Sequence, residues 1–167
     1  ALPISNWPLT GWQVDAQFPR FLSQPREVSR QTDLGDSIMT AIVLAPLADR
    51  PTSFTDLGRL RVQECERVQS LRTELEKCGA KITEEGDTLH LEPSPDLHGA
   101  EIETYQDHRM AMCFALLGLK VPGMRLSNPA CVKKPFPSFF QKIAATPPNG
   151  LGAEIRDAAG NALTADD

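Results

Sequence analysis

The chain has no apolar run approaching the roughly 18 residues that a membrane-spanning helix needs, so no transmembrane segment is expected. It has no excess of positive charge. With 17 Lys and Arg against 22 Asp and Glu the formal net charge is −5, which argues against a nucleic-acid binder. A local basic site survives that argument, because the field follows clustering rather than the total. The four cysteines, Cys65, Cys78, Cys113 and Cys131, contain no Cys-x-x-Cys pair. His90, His98 and His108 stand at no ligand spacing from them, so neither zinc nor any other metal site is expected. Cys65, Cys78 and Cys113 fall among apolar positions and read as reduced thiols filling the core of a cytoplasmic protein. The opening Ala1-Leu2-Pro3-Ile4 lacks the basic and long apolar regions of a signal peptide. It also lacks an initiator Met, so the chain reads as processed or as a piece of a longer one.

What is present suits a single globular domain with a true core. The chain has 167 residues, 41% hydrophobic and 23% charged. Residues 1–35 are rich in proline and turn formers, and Gly11 to Asp15 alternates like a strand. From residue 36 the pattern sharpens. Asp36 to Ala45 reads as a buried helix with Asp33 or Asp36 near its start and Pro46 at its end. Pro51 to Leu57 alternates like a strand. Leu60 to Cys78 reads as one long helix, with Val62, Cys65, Val68, Leu71, Leu75 and Cys78 in one apolar stripe and Gly79 as its stop. Residues 80–83 and 88–91 flank Glu84-Glu85-Gly86-Asp87 as a hairpin. A strand around Ile102, a helix from Met110 to Leu119, a strand at Met124 to Leu126 and a helix near Phe136 to Ile143 complete the order. The expected class is α/β, helices layered on a sheet that the hairpin makes mixed. Residues 36–146 form the ordered region, and 147–167 read as a flexible tail.

The densest polar cluster, Glu103-Thr104-Tyr105-Gln106-Asp107-His108-Arg109, sits directly before an apolar helix. Charged groups at a helix N-terminus, beside free N–H groups, suit an anionic ligand. With Met110-Ala111-Met112 it resembles the Thr-Tyr-Asn-Asp-His-Arg-Met-Ala-Met motif of the enolpyruvyl transferases. Three other segments resemble that family in the same order: Gly35 to Thr40 (Pro-Asp-x-x-Met-Thr), Arg61 to Arg67 (Arg-Val-Lys-Glu-Thr-Asp-Arg) and Ala130 to Pro137 (Cys-Thr-x-Lys-Thr-Phe-Pro). The resemblance covers roughly residues 33–143 and implies a fold of βαβαββ units, one of them here with part of another.

The resemblance also implies a reaction. Members move the enolpyruvyl group of phosphoenolpyruvate onto a hydroxyl and release phosphate, without cofactor. Such chemistry needs carboxylates with separated roles and cations converging on anionic oxygens. By the match, Asp36 accepts the proton of the attacking hydroxyl, and Glu64 is the proton-shuttling acid. Arg67, Arg109 and Lys134 bind phosphoenolpyruvate, while Gln63 and Arg59 face the acceptor. Tyr105 and His108 are candidates for support.

Two departures bear on function. Members using shikimate 3-phosphate carry Asn and Lys where this chain has Arg59 and Gln63, so a cation is lost and another is offered from a different direction. The family's N-terminal Lys and Arg ligands, its glycine-containing loop and its Ser-Ser-Gln acceptor site have no counterpart. The chain therefore reads as the C-terminal part of such an enzyme, one wall of a cleft, whose partners are phosphoenolpyruvate, shikimate 3-phosphate and an N-terminal half. The competing readings are a non-catalytic binding module of the same fold and a transferase for another acceptor.

Overall fold

The computed structural model describes residues 6–8, 10–21 and 26–163. Strand β1 (Glu27–Ser29) runs through a π-type turn, Arg30–Leu34, and a 3-10 turn, Gly35–Ser37, into helix α1 (Ile38–Leu44). Strand β2 (Thr52–Thr55) lies parallel to β1, so α1 is the crossover that parallel pairing requires. A 3-10 stretch, Leu57–Val62, then leads to helix α2 (Arg67–Lys77). Strands β3 (Lys81–Glu85) and β4 (Thr88–Glu92) form an antiparallel hairpin whose turn places Gly86 at φ +56°. The sheet order is β1-β2-β4-β3. One complete βαβαββ unit with a mixed sheet is thus present, and its first strand lies at Glu27, ahead of the expected start at residue 36.

A second unit begins and stops. Strand β5 (Glu101–Ile102), helix α3 (His108–Gly118) and strand β6 (Arg125–Leu126) make a short parallel pair with its crossover, followed by a 3-10 turn, Pro129–Lys133, and helix α4 (Phe139–Ala144). The main core gathers Ile38, Met39, Ile42 and Val43 of α1, Val68, Leu71 and Leu75 of α2, and Phe54, Leu89 and Leu91 of the sheet. Met110, Cys113, Phe114 and Leu117 bring α3 into it. The opposite side of α3 contributes Ala111 to a smaller cluster with Val132, Phe139 and Ile143.

Three expectations are corrected. Gly11 to Asp15 is not a strand. Gly11 has φ +73°, Trp12 is 91% exposed, and the chain enters a 3-10 helix at Val14–Phe21. The alternation there had no sheet partner to give it meaning. The stripe from Leu60 to Cys78 is not one helix. The backbone opens between the 3-10 stretch and α2, and Glu66 caps α2 by accepting a hydrogen bond from the Gln69 N–H. Val62 is consequently 72% exposed rather than part of the stripe. The last helix starts at Phe139 rather than Phe136, beyond Pro137. Beyond α4 the chain folds back: the Leu151 and Ala153 N–H groups donate to the Ile143 carbonyl, and Ala153 and Ile155 pack on the smaller cluster. Residues 1–5, 9, 22–25 and 164–167 of the two terminal segments lie outside the described residues.

Candidate active site

Helices α1, α2 and α3 begin at one place. Asp36 stands just before α1, Arg67 is the first residue of α2, and Arg109 is in the first turn of α3. Packing of α1 against α3, where Thr40 Oγ1 lies 3.3 Å from Cys113 Sγ, holds two of these ends side by side. Three helix N-termini add their partial positive charges in one region.

Arg67 is the centre of the cluster. Its side chain is 1% exposed, and its Nε donates to Asp107 Oδ2 at 2.6 Å. Its Nη2 donates to Glu64 Oε2 at 2.7 Å and to Asp107 Oδ1 at 3.3 Å. Its Nη1 lies 3.6 Å from Asp36 Oδ2 and has no hydrogen-bond partner. Asp36 in turn accepts from Arg30 Nη2 at 2.7 Å and lies 3.9 Å from Arg109 Nε. Arg30, Arg67 and Arg109 thus interleave with Asp36, Glu64 and Asp107, three cations against three carboxylates.

Burial alone would raise the Asp36 carboxyl. The Arg30 hydrogen bond and the charges of Arg30, Arg109 and Arg67 outweigh it and hold Asp36 below the usual carboxylate range. Burial likewise works against ionised Asp107, and the Arg67 hydrogen bond and charge again win. Burial opposes the Arg67 charge too, yet Asp107, Glu64 and Asp36 stabilise the guanidinium further. Cys65, whose thiol points at Asp107 Oδ2 from 3.6 Å, is pushed up to about 11, chiefly by burial. It is a packed thiol rather than a nucleophile.

The loop before α3 is held from below. Tyr105 and Gln106 both have positive φ, +52° and +54°, an uncommon conformation for such residues. The Tyr105 hydroxyl donates to Glu74 Oε1 at 2.7 Å, the Glu103 N–H donates to Glu74 Oε2, and Lys77 pairs with the same carboxylate. Burial and the Glu74 carboxylate push the Tyr105 phenol well above its ordinary value. Tyr105 therefore supports the loop, while the His108 side chain makes no hydrogen bond among the described residues.

Of the residues expected from sequence, Asp36, Glu64, Arg67 and Arg109 meet. Glu64 and Arg109 remain open to solvent, at 40% and 38%. Glu64 is not on the helix with Arg67 as expected; it precedes α2 and reaches the guanidinium from the opened backbone. Lys134, Arg59 and Gln63 make no ion pair or side-chain hydrogen bond with the cluster among the described residues. Lys134 is exposed, at the end of the turn that packs against α3. Arg59 is exposed, and the Gln63 Oε1 is buried without a partner. Sequence reasoning gave no role to Asp107 or Arg30. Asp107 had a signal, a capping Asp directly before an apolar helix; Arg30 had none. A concavity of about 800 Å³ between Arg61, Arg72, Glu76 and the β3–β4 hairpin shares no residue with the cluster.

The site offers a carboxylate held ionised by its arginines, the half-open carboxylate of Glu64 beside Arg67, and the half-open guanidinium of Arg109. The cluster is carried on one complete βαβαββ unit and the start of a second. A family model, EPSP synthase (3-phosphoshikimate 1-carboxyvinyltransferase), matches residues 23–143, and the chain belongs to that family. It is 42% identical over 111 residues to a 3-phosphoshikimate 1-carboxyvinyltransferase of Nostoc punctiforme, covering 66% of this chain and 26% of that protein. A Rhizobium etli enzyme of the same name is 38% identical over 139 residues, covering 80% and 32%. The solved EPSP synthase of Acinetobacter baumannii superposes with a TM-score of 0.60 at 31% identity, over 65% of this chain and 26% of that one. The chain thus spans about a quarter to a third of the length of the relatives it matches.

Proposed function

We propose that this chain is the C-terminal part of a cytoplasmic enzyme that transfers the enolpyruvyl group of phosphoenolpyruvate to shikimate 3-phosphate. The single observation that supports this most is the meeting of Asp36, Glu64, Arg67 and Arg109, which come from three separate motifs, in one chain of ion pairs. Asp36 takes the proton of the attacking hydroxyl, a role suited to a carboxylate kept ionised by three arginines. Glu64 delivers the proton to the vinyl carbon. Arg67 and Arg109 bind anionic oxygens, joined by Lys134 when the opposing wall closes.

One wall is not a catalyst. Addition and elimination of this kind rely on opposed groups in a site closed to water. The N-terminal portion of such an enzyme supplies the opposing ligands. The chain alone is therefore expected to release no phosphate from phosphoenolpyruvate with shikimate 3-phosphate, and addition of an N-terminal portion to restore release. Glu64→Gln should then abolish it again. Phosphate release by the chain unaided would overturn the fragment reading.

A second reading, transfer to a different acceptor, is favoured by the buried unpartnered Oε1 of Gln63 and the exposed Arg59, standing where relatives with shikimate 3-phosphate carry Lys and Asn. A reconstituted pair that works with another phosphorylated or nucleotide-bearing alcohol would select it. A pair that works with none would leave a non-catalytic module.

A further inference from the structure

Asp107 is fully buried, and all its acceptor capacity is engaged. Its Oδ2 takes the Arg67 Nε–H at 2.6 Å. Its Oδ1 takes the Arg67 Nη2 at 3.3 Å and also the backbone N–H of Arg109 at 2.8 Å, capping α3. The Cys65 thiol adds a weak bond to Oδ2 at 3.6 Å. One carboxylate therefore fixes the side chain of one arginine and the backbone of another. Its grip occupies the Nε–Nη2 edge of Arg67 and leaves Nη1, buried 3.6 Å from Asp36 Oδ2, without a hydrogen-bond partner among the described residues. Arg30 Nη2 and Arg109 Nε also reach the Asp36 carboxylate, at 2.7 Å and 3.9 Å.

We propose that Asp107 is a positioning residue, which sets Arg67 and Arg109 as one rigid anion clamp. The proposal rests on the reading of this cluster as the phosphoenolpyruvate site. It makes a distinctive demand. By charge alone, removing a carboxylate beside an anion site should tighten anion binding. By positioning, removing it should weaken binding. An asparagine in its place cannot satisfy the same set, because its amide N–H₂ would face at least one of the N–H donors that both carboxylate oxygens now accept. The sign of the change thus separates the two roles.

The test uses the 167-residue chain itself, with phosphoenolpyruvate as probe and the arginine side-chain N–H signals followed by NMR. The Arg67 Nε–H is expected to exchange slowly with water and to keep its bond to Asp107 when phosphoenolpyruvate binds. Asp107→Asn should raise the phosphoenolpyruvate dissociation constant about tenfold, the scale of one lost charge-assisted hydrogen bond. Unchanged or tighter binding in Asp107→Asn would overturn the positioning role, as would an Arg67 Nε–H that exchanges freely in the unaltered chain or is released by phosphoenolpyruvate. Those last measurements need no variant to fold. Arg109→Ala is the control for the site: if it leaves phosphoenolpyruvate binding unchanged, or the unaltered chain shows none, the anion-site reading fails. The Nε–H exchange still decides the role of Asp107 in that case.

Discussion

Asp36 and Asp107 both have folded pKa values below the ordinary one of roughly 3.9, although burial opposes this in each. The unfolded chain then binds more protons than the folded one wherever the two differ. The stability these groups add is complete above the unfolded value and is lost as pH falls through the folded values. The urea midpoint is therefore expected to drop between about pH 5 and pH 3, and the Asp36→Asn variant to lose part of that acid dependence. An acid limb identical in the variant and the unaltered chain would show that Asp36 is not held ionised by its arginines. Asp107 is the more costly residue to alter at neutral pH. Asp107→Ala strands a guanidinium that is 1% exposed, and breaking such a buried pair costs about 3–5 kcal/mol, measurable by urea unfolding. At this scale the sequence was legible where a motif word named a charge, as with Glu64 and Arg67. It was silent where a role depends on reach across the chain. Arg30 contacts Asp36 across the π-type turn at Arg30–Leu34, which Ser29 caps by accepting from the Gln31 and Thr32 N–H groups.

The helix expected from Leu60 to Cys78 shows how an element is misread and what it costs. Leu57 and Leu60 are buried three residues apart, and a 3-10 turn has a period of three, so its apolar side runs on into the stripe of α2 without a change of phase. Periodicity alone cannot see the opening between the two. The opening lets Glu64, ahead of α2, reach the Arg67 guanidinium at 2.7 Å. Glu66 fixes where α2 resumes, capping Gln69 while its other oxygen takes Arg61 Nη1 at 2.6 Å. Glu66→Ala is expected to destabilise the chain by about 1 kcal/mol and to raise amide exchange at Gln69, with the sheet amides unaffected. Protection at Gln69 unchanged by the substitution would mean that α2 does not depend on this cap. Gly79 was read correctly as the stop for a reason that is local: its φ of +82° is open to glycine and strained for other residues.

At the scale of the whole molecule, the order of elements after residue 36 was readable because each long element carries its own period. The division into two sheets was not, since β5 and β6 are two residues each and their pairing is a matter of what lies beside them. The same division separates two cores that share α3. The main core has contributions from every element of the complete βαβαββ unit, whereas the smaller cluster rests on Ala111, Val132, Phe139 and Ile143. Local stability follows the number of buried apolar contacts, so the two regions should open with different free energies. Phe139 is 6% exposed and packs edge-on against Phe136 and Phe140, with ring centroids 5.8 Å and 5.2 Å away. Phe139→Ala should cost about 3–5 kcal/mol where it acts, through lost burial and the cavity left behind. That cost falls on the smaller cluster, which holds the Pro129–Lys133 turn and hence Lys134. Hydrogen exchange should therefore rise across α4 and residues 129–134, while amides of β2, β4 and α2 keep the protection they have in the unaltered chain. Under the proposed clamp, phosphoenolpyruvate should still perturb Arg67 and Arg109 in this variant, because α2 packs in the main core. Uniform loss of protection over the whole chain would instead mean that the two clusters unfold as one, and that the incomplete second unit is as firmly built as the first.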